Sequence, residues 1–201
     1  MWPEPVILRG QHVTLTPLSL DHEQDLAIAA TGVQGLWYTS IPSPEDVGKE
    51  IKTRLAKQKA GTMLPFAQLL PDGRAVGMTT YMNIDAANKR VEIGSTWIGK
   101  DAQRTGLNTE AKRLLLGHAF DDLGCIAVEF RTHALNHQSR SAIERLGAKL
   151  DGVLRSHLVM DNGSLRDTAV YSILPHEWPA VRANLDWHLQ KHGSPAGINP
   201  A

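Results

Sequence analysis

The sequence has one cysteine, Cys125, among 201 residues. That excludes an internal disulfide and suits a reducing compartment. The thiol lies in the apolar stretch Leu123 to Val128, where it reads as a small buried side chain rather than a nucleophile. Net charge is also missing, since 21 Lys and Arg balance 21 Asp and Glu. No overall basic field draws the chain to nucleic acid or to an anionic membrane. No run approaches the roughly 20 apolar residues that span a bilayer. The start, Met1-Trp2-Pro3-Glu4-Pro5, lacks the basic and apolar segments of a secretory signal. These absences read as a cytoplasmic protein. The nine histidines show no ligand-like spacing, so no metal is expected. Repeats, low-complexity blocks and Gly/Ser linkers are absent too, and residues 1–201 read as one domain with a loose tail over 193–201.

What is present is the patterning of a mixed fold. Val6 to Thr16 carries two short β-like pieces around Arg9-Gly10. Leu18 to Ala30 reads as a helix capped by Ser19, with Leu20, Ala27 and Ile28 near one face. Pro44 to Ala60 reads as another, with Ser43 as N-cap and Val47, Ile51 and Leu55 at fourfold spacing. Met63 to Leu70, Ala75 to Asn83 and Arg90 to Ile98 read as strands, the first two joined by a turn at Pro71-Asp72-Gly73. The period then changes. Thr105 to Leu123 carries Leu107, Ala111, Leu114, Leu115 and Ala119 on one stripe and predicts a helix ended by Gly124. A strand over Ile126 to Thr132, a helix over Gln138 to Leu146, and strands over Lys149 to Val159 and Asp167 to Leu174 follow. A last helix is predicted from His176 to Lys191, docked by Trp178 and Trp187. The order predicts an α+β domain in which the strands of Val91 and Thr132 run parallel through a right-handed crossover.

One segment carries chemistry. From Ile98 to Ala111 a strand ends, a polar loop follows, and a helix begins. Backbone N–H groups at a helix start have no partner inside the helix, and the dipole there is positive. A glycine at 106 would let those donors approach phosphate oxygens, and Arg104 would add a charged hydrogen bond. The segment is neither a Walker loop nor the three-glycine dinucleotide fingerprint. Taken alone it is also what any capped strand-to-helix turn looks like.

Context narrows it. The run Glu92-Ile93-Gly94-Ser95-Thr96-Trp97-Ile98 is followed by Gln103-Arg104-Thr105-Gly106-Leu107-Asn108-Thr109-Glu110-Ala111. Later come Asn136-His137-Gln138-Ser139-Arg140-Ser141-Ala142-Ile143-Glu144-Arg145-Leu146-Gly147-Ala148, then Gly152-Val153-Leu154-Arg155, Asp161-Asn162-Gly163 and Arg166-Asp167. Together these blocks resemble the GNAT N-acetyltransferase superfamily, and most closely its RimJ/RimL branch of ribosomal-protein N-terminal acetyltransferases. The resemblance runs from about Val6 to Pro179.

The resemblance implies a mostly antiparallel mixed sheet, flanked by helices, in which two parallel strands splay. It implies an N-acetyltransferase that moves the acetyl group of acetyl-CoA to a primary amine, a protein N-terminus or a small molecule, by direct attack on the thioester. The pantetheine arm would lie between the strands Arg90 to Ile98 and Ile126 to Thr132, where diverging backbones leave groups to pair. Trp97 and Ile98 would supply strand contacts, and Gln103, Arg104, Thr105, Gly106, Leu107, Asn108 and Thr109 the phosphate cradle. Asn136 would bond the arm, with Ser139 and Arg140 beside it. A backbone N–H near Trp97 would polarise the thioester carbonyl. A homodimer is a further implication.

Two departures stand out. Asn108 replaces the loop's usual final Gly or Ala, and Ile143 replaces the Tyr that often serves as general acid. The acid would then be Ser139, Ser141 or a water; a non-catalytic acyl-CoA-binding module is the alternative. Glu92 is the candidate base, or else an outward-facing carboxylate paired with Arg90 or Lys89. Trp37 and Tyr38 would form an acceptor lid or pack in the core, and Arg155 and His157 lie on a strand that would border the acceptor.

Overall fold

The computed structural model describes residues 2–33, 37–39 and 41–193. Its strands are β1 (Leu8–Arg9), β2 (Thr14–Pro17), β3 (Met63–Leu69), β4 (Ala75–Asp85), β5 (Arg90–Ile98), β6 (Ala127–His133), β7 (Lys149–Val159) and β8 (Leu165–Ile173). They form one sheet in the order β1-β2-β3-β4-β5-β6-β8-β7. Every neighbouring pair is antiparallel except β5 and β6. The helices are α1 (Glu23–Ala30), α2 (Val47–Lys59), α3 (Leu107–Gly117), α4 (His137–Arg145) and α5 (Trp178–Gly193). This is the mixed α+β architecture that the element order predicts, with the crossover through α3 making β5 and β6 parallel.

The sheet separates two apolar clusters. On one face Leu107, Ala111 and Leu115 of α3 and Val181 and Leu185 of α5 pack on Phe66, Tyr81, Val91, Ile93 and Val128. On the other, Leu26 and Ala30 of α1 and Val47 and Ile51 of α2 pack on Ala67, Met78 and Trp97. Along β5, Val91 and Ile93 face the first cluster, yet Trp97, of the same parity, faces the second. Ser95 causes the switch. It holds a left-handed backbone (φ 47°), and the register steps from Gly94 opposite Thr80 to Trp97 opposite Met78, one residue longer on β5 than on β4. Such a bulge bends the strand and increases its twist.

Several local expectations change. The first helix opens with a 3₁₀ turn, Leu20–His22, before α1 begins, which shifts its phase. Leu26 and Ala30 are therefore buried, while Leu20 and Ile28 are exposed. The long helix remains α-helical only to Gly117 and then widens into a π turn over His118–Asp122 before Gly124, at φ 63°, ends it. Of the two late tryptophans only Trp178 docks α5. It is buried and donates its indole N–H to Asp121 (3.0 Å), whereas Trp187 is half exposed under the Lys191 ammonium. Cys125 is buried, and burial pushes its thiol up to about 11. The tail beyond Gly193 lies outside the described residues.

Candidate active site

The parallel ladder between β5 and β6 is short. Arg90 faces Ala127, Val91 faces Val128 and Glu92 faces Glu129; beyond Glu92 the two strands part. β5 stays with β4 as far as Ile98, opposite Gly77, and β6 stays with β8 as far as His133, opposite Thr168. A cleft of about 780 Å³ opens between them, bounded by α3 and α4. It falls in the size range of sites for drug-sized ligands.

Strand alternation fixes which β5 groups face the gap. Gly99 N–H donates to Val76 O (2.8 Å), so the bonded pair two residues back is Trp97 with Met78. The backbone groups of Trp97 are therefore turned to β4, and those of Thr96 and Ile98 to the gap. The backbone N–H groups near Trp97 that face the gap are those of Thr96 and Ile98. Ile98 O accepts from Gln103 Nε2 (2.8 Å), which ties the following loop back to the strand.

At the open end of the cleft lie Arg104, Thr105, Asn108, Thr109 and Lys112. Arg104 takes the left-handed conformation (φ 61°) that turns the loop. The Thr105 hydroxyl donates to Ala102 O (2.8 Å) and accepts from Leu107 N–H (3.2 Å), bracing the turn. Gly106 is the N-cap of α3 and makes no side-chain cap hydrogen bond. The acidic residue of the first turn is occupied elsewhere. Glu110 is buried and accepts from the backbone N–H groups of Gln11, His12 and Val13 at 2.9, 2.6 and 2.9 Å. Its charge is thereby directed at three donors on the side of the β1–β2 turn. A Cβ at Gly10 would overlap the Glu110 carboxylate, so that turn requires glycine.

The cradle corrects several expectations. Gly106 has an ordinary φ of −66° and is buried; a Cβ there would meet the His12 ring at 3.1 Å. Its smallness serves packing against His12 rather than an approach from the cleft. Leu107 is in the core, Gln103 closes the loop onto Ile98 O, and the Ile98 side chain packs against the core, so that only its backbone is turned to the gap. Lys112, one turn after Asn108, escaped the sequence reading. It is buried beneath β5, donates to Thr96 Oγ1 (2.9 Å) and Thr79 Oγ1 (3.4 Å), and burial lowers its pKa to about 7. Its spacing from Asn108, next to the apolar stripe, was the available signal.

Asn136 caps α4, its Oδ1 accepting from Ser139 N–H (3.0 Å), which leaves its Nδ2 as donor at the cleft wall. Ser139 and Ile143 also line the cleft. Ser141 is exposed and outside the lining, because successive helical positions face different ways. Arg140 turns away as well, donating to Tyr171 Oη (2.9 Å) and Ala134 O (3.2 Å).

Glu92 sits where the strands part. It is 4% exposed, so it is not an outward-facing strand carboxylate. Its Oε2 accepts from Asn83 Nδ2 (2.6 Å) and lies 3.5 Å from Arg131 Nε. Arg90 pairs instead with Glu129. Burial raises the Glu92 pKa above the usual range, outweighing the opposing pull of Asn83 and Arg131. Gly94 makes room for it; a Cβ there would lie 3.0 Å from Glu92 Oε1 and 2.8 Å from Met82 Sδ.

The inner end of the cleft also carries Tyr38, Thr39, Arg131, His133 and Arg166. His133 is buried; its Nδ1 accepts from Leu135 N–H (3.0 Å), so the neutral ring carries its proton on Nε2. Trp37 and Tyr38 pack on it with ring centroids at 5.3 and 5.6 Å. Burial and the nearby Arg166 lower its pKa. Residues 34–36 and 40 of the same connection lie outside the described residues. Arg155 and His157, on the exposed β7, do not line the cleft; His157 meets Thr168 Oγ1 at 3.1 Å. Among the described residues no group of three His, Cys, Asp or Glu side chains is placed to hold a metal ion.

Comparison with known proteins agrees with this geometry. A family model described as an acetyltransferase (GNAT) domain matches residues 12–149. The chain is 33% identical over 175 residues to the Bacillus subtilis (strain 168) protein named "Putative ribosomal N-acetyltransferase YdaF", covering 84% of this chain and 94% of that one. The crystal structure of a GCN5-related N-acetyltransferase from Brucella melitensis matches with a TM-score of 0.81 and 34% identity, over 93% of this chain and 86% of that chain. Mycobacterium smegmatis RimJ, solved in complex with CoA-disulfide, shares the fold with a TM-score of 0.74 at 23% identity, over 93% and 95% of the two chains.

Proposed function

The chain belongs to the GNAT acetyltransferase family and is an acetyl-CoA-dependent acetyltransferase, and from that premise we propose that it acetylates a primary amine by direct attack on the thioester. The observation that carries this reading is the gap beyond Glu92. It has a positively polarised helix start and Arg104 at one end and a buried carboxylate at the other. In this reading the N–H groups at the start of α3, Arg104, Thr105 and Lys112 hold the diphosphate end. Asn136 Nδ2 and the β5 backbone at Thr96 and Ile98 pair with the amide-rich arm.

The thioester supplies an electrophilic carbonyl carbon. Glu92 takes the proton that the attacking amine must lose, and its raised pKa brings it closer to that task at neutral pH. The Thr96 or Ile98 N–H steadies the charge that develops on the carbonyl oxygen. Of the expected pair only Ser139 lines the cleft, which supports it as the group that protonates the departing thiolate, directly or through a water.

Thiol release measured across a panel of small amines and peptides, with the product identified by mass, tests the proposal. An acetamide product supports it; thioester hydrolysis alone, or transfer only to hydroxyl groups, removes it. Homodimerisation is checked by sedimentation, where a mass of two chains supports it and a mass of one removes it. No helix of the described residues is long and apolar enough to cross a membrane.

A further inference from the structure

Charge is unevenly compensated at the inner end of the cleft. Two arginines, Arg131 and Arg166, line it together with one carboxylate, Glu92. Arg131 is already neutralised: it bonds Glu129 Oε2 (2.8 Å) and lies 3.5 Å from Glu92. Arg166 has no such partner. Among the described residues it makes no ion pair with a carboxylate, and its Nε donates to the hydroxyl of Thr168 (3.0 Å). That bond pins the guanidinium and leaves the forked pair of terminal nitrogens, the geometry that receives a carboxylate through two parallel hydrogen bonds.

A partly buried cation without a contact partner is costly; burial works against the charge on Arg166, and the more distant Glu92 carboxylate offsets only part of this. Beside it, His133 is 4% exposed, and among the described residues its Nε2 has no hydrogen-bond partner. Thr168, which fixes Arg166, stands directly opposite His133 in the β6–β8 register. The two donors therefore belong to one small region, where among the described residues His133 Nε2 lacks an acceptor and the terminal nitrogens of Arg166 make no ion pair.

We propose that the acceptor carries a carboxylate a few bonds from its amine, and that Arg166, with His133 as second donor, binds this carboxylate while the amine faces Glu92. The proposal rests on the amine-acetylation reading above. One guanidinium without a contact ion pair beside the Glu92 carboxylate matches a monoanion; a phosphate dianion would be repelled more strongly by Glu92. The carboxylate comes either from a free α-amino acid or from an acidic side chain next to a peptide's α-amine. Arg166 is thus a specificity residue: its charge also pulls the Glu92 pKa down, an effect shared by all acceptors, so the ratio between matched acceptors reports the carboxylate contact alone.

The test uses matched acceptors: alanine against alaninamide, and a C-terminally amidated Ser-Asp peptide against its Ser-Asn counterpart. The expected result is a preference of at least about tenfold in kcat/KM for the anionic member of one pair, expressed in KM. The pair that shows it identifies the source of the carboxylate. Arg166→Gln should bring that ratio close to one, and Arg166→Lys, which keeps charge without the fork, should keep part of it. Equal use of both members of both pairs overturns the proposal, as does an unchanged ratio in a folded Arg166→Gln protein.

Should no amine in the panel be acetylated, the amine reading fails on its own terms. The carboxylate site is then judged by calorimetry with CoA present. N-acetylalanine binding at least about tenfold more tightly than N-acetylalaninamide, in an Arg166-dependent way, upholds it. Equal binding, or no binding of either, overturns it.

Discussion

The two ends of the cleft are built in different ways. The outer end comes from one continuous stretch: the close of β5, a braced loop and the first turns of α3, Ile98 to Lys112. The inner end is assembled from Asn83 on β4, Glu92 on β5, Arg131 and His133 on β6, Arg166 on β8 and Tyr38 in the connection after α1. A local strand–loop–helix unit can present backbone donors from its own hydrogen-bonding geometry. A carboxylate with a shifted pKa needs burial and partners from several strands. In the function proposed above, the first region therefore binds the common cofactor, and the second transfers the proton and selects the acceptor.

The sharpest way to break that division is Glu92→Gln. Its expected effect is a fall of about a hundredfold in kcat, the usual scale of a positioned base, with CoA affinity unchanged. Turnover by the wild-type enzyme should rise with pH along a limb above the ordinary carboxylate range, because Glu92 must be ionised and burial raises its pKa. The variant should lose that limb. A variant that keeps both rate and limb would remove Glu92 as base.

Lys112→Met probes the outer end. Burial lowers Lys112 to about 7, against about 10.4 in an unfolded chain. Below pH 7 folding carries the whole penalty of a buried ammonium, and the penalty fades as pH rises toward the unfolded value. The stability advantage of the methionine variant over wild type should therefore be about 3 kcal/mol larger at pH 6 than at pH 9.5, measured by urea unfolding. If Lys112 also meets the anionic cofactor, calorimetry of CoA binding at pH 8 in buffers of different ionisation enthalpy will register proton uptake by wild type and not by the variant.

A smaller effect is expected of Arg104→Ala, about tenfold weaker CoA binding with kcat preserved at saturation, since one exposed charge-assisted contact is lost. The smallest is expected of Gly106→Ala. The new methyl meets His12, not the cleft, so CoA affinity should change less than about twofold, while overpacking costs up to about 1 kcal/mol of stability. A large loss of affinity would return Gly106 to the cradle.

The same division explains what could be read before folding. The polar loop and helix start were legible because their physics is local: Thr105, Asn108 and Thr109 follow a strand in one run of sequence. Glu92 and Asn136 were legible through the blocks that resemble the family. Arg166 belonged to one of those blocks but was given no role, and His133 carried no mark, since their pairing depends on β8 lying beside β6. Ser95 gave no sign of its bulge, because most serines in strands keep φ negative. That bulge redirected Trp97 and moved the gap-facing donors to Thr96 and Ile98. The face of α1 was misread for a similar reason, a 3₁₀ turn having shifted the phase of the helix.

The most direct test of the division is a crystal structure of the protein with CoA bound. The account predicts the diphosphate on the N–H groups at the start of α3 beside Arg104, with the arm between β5 and β6 and the sulfur directed toward Glu92. A diphosphate lodged at Arg166 and His133, or an arm that runs outside the gap, would contradict it.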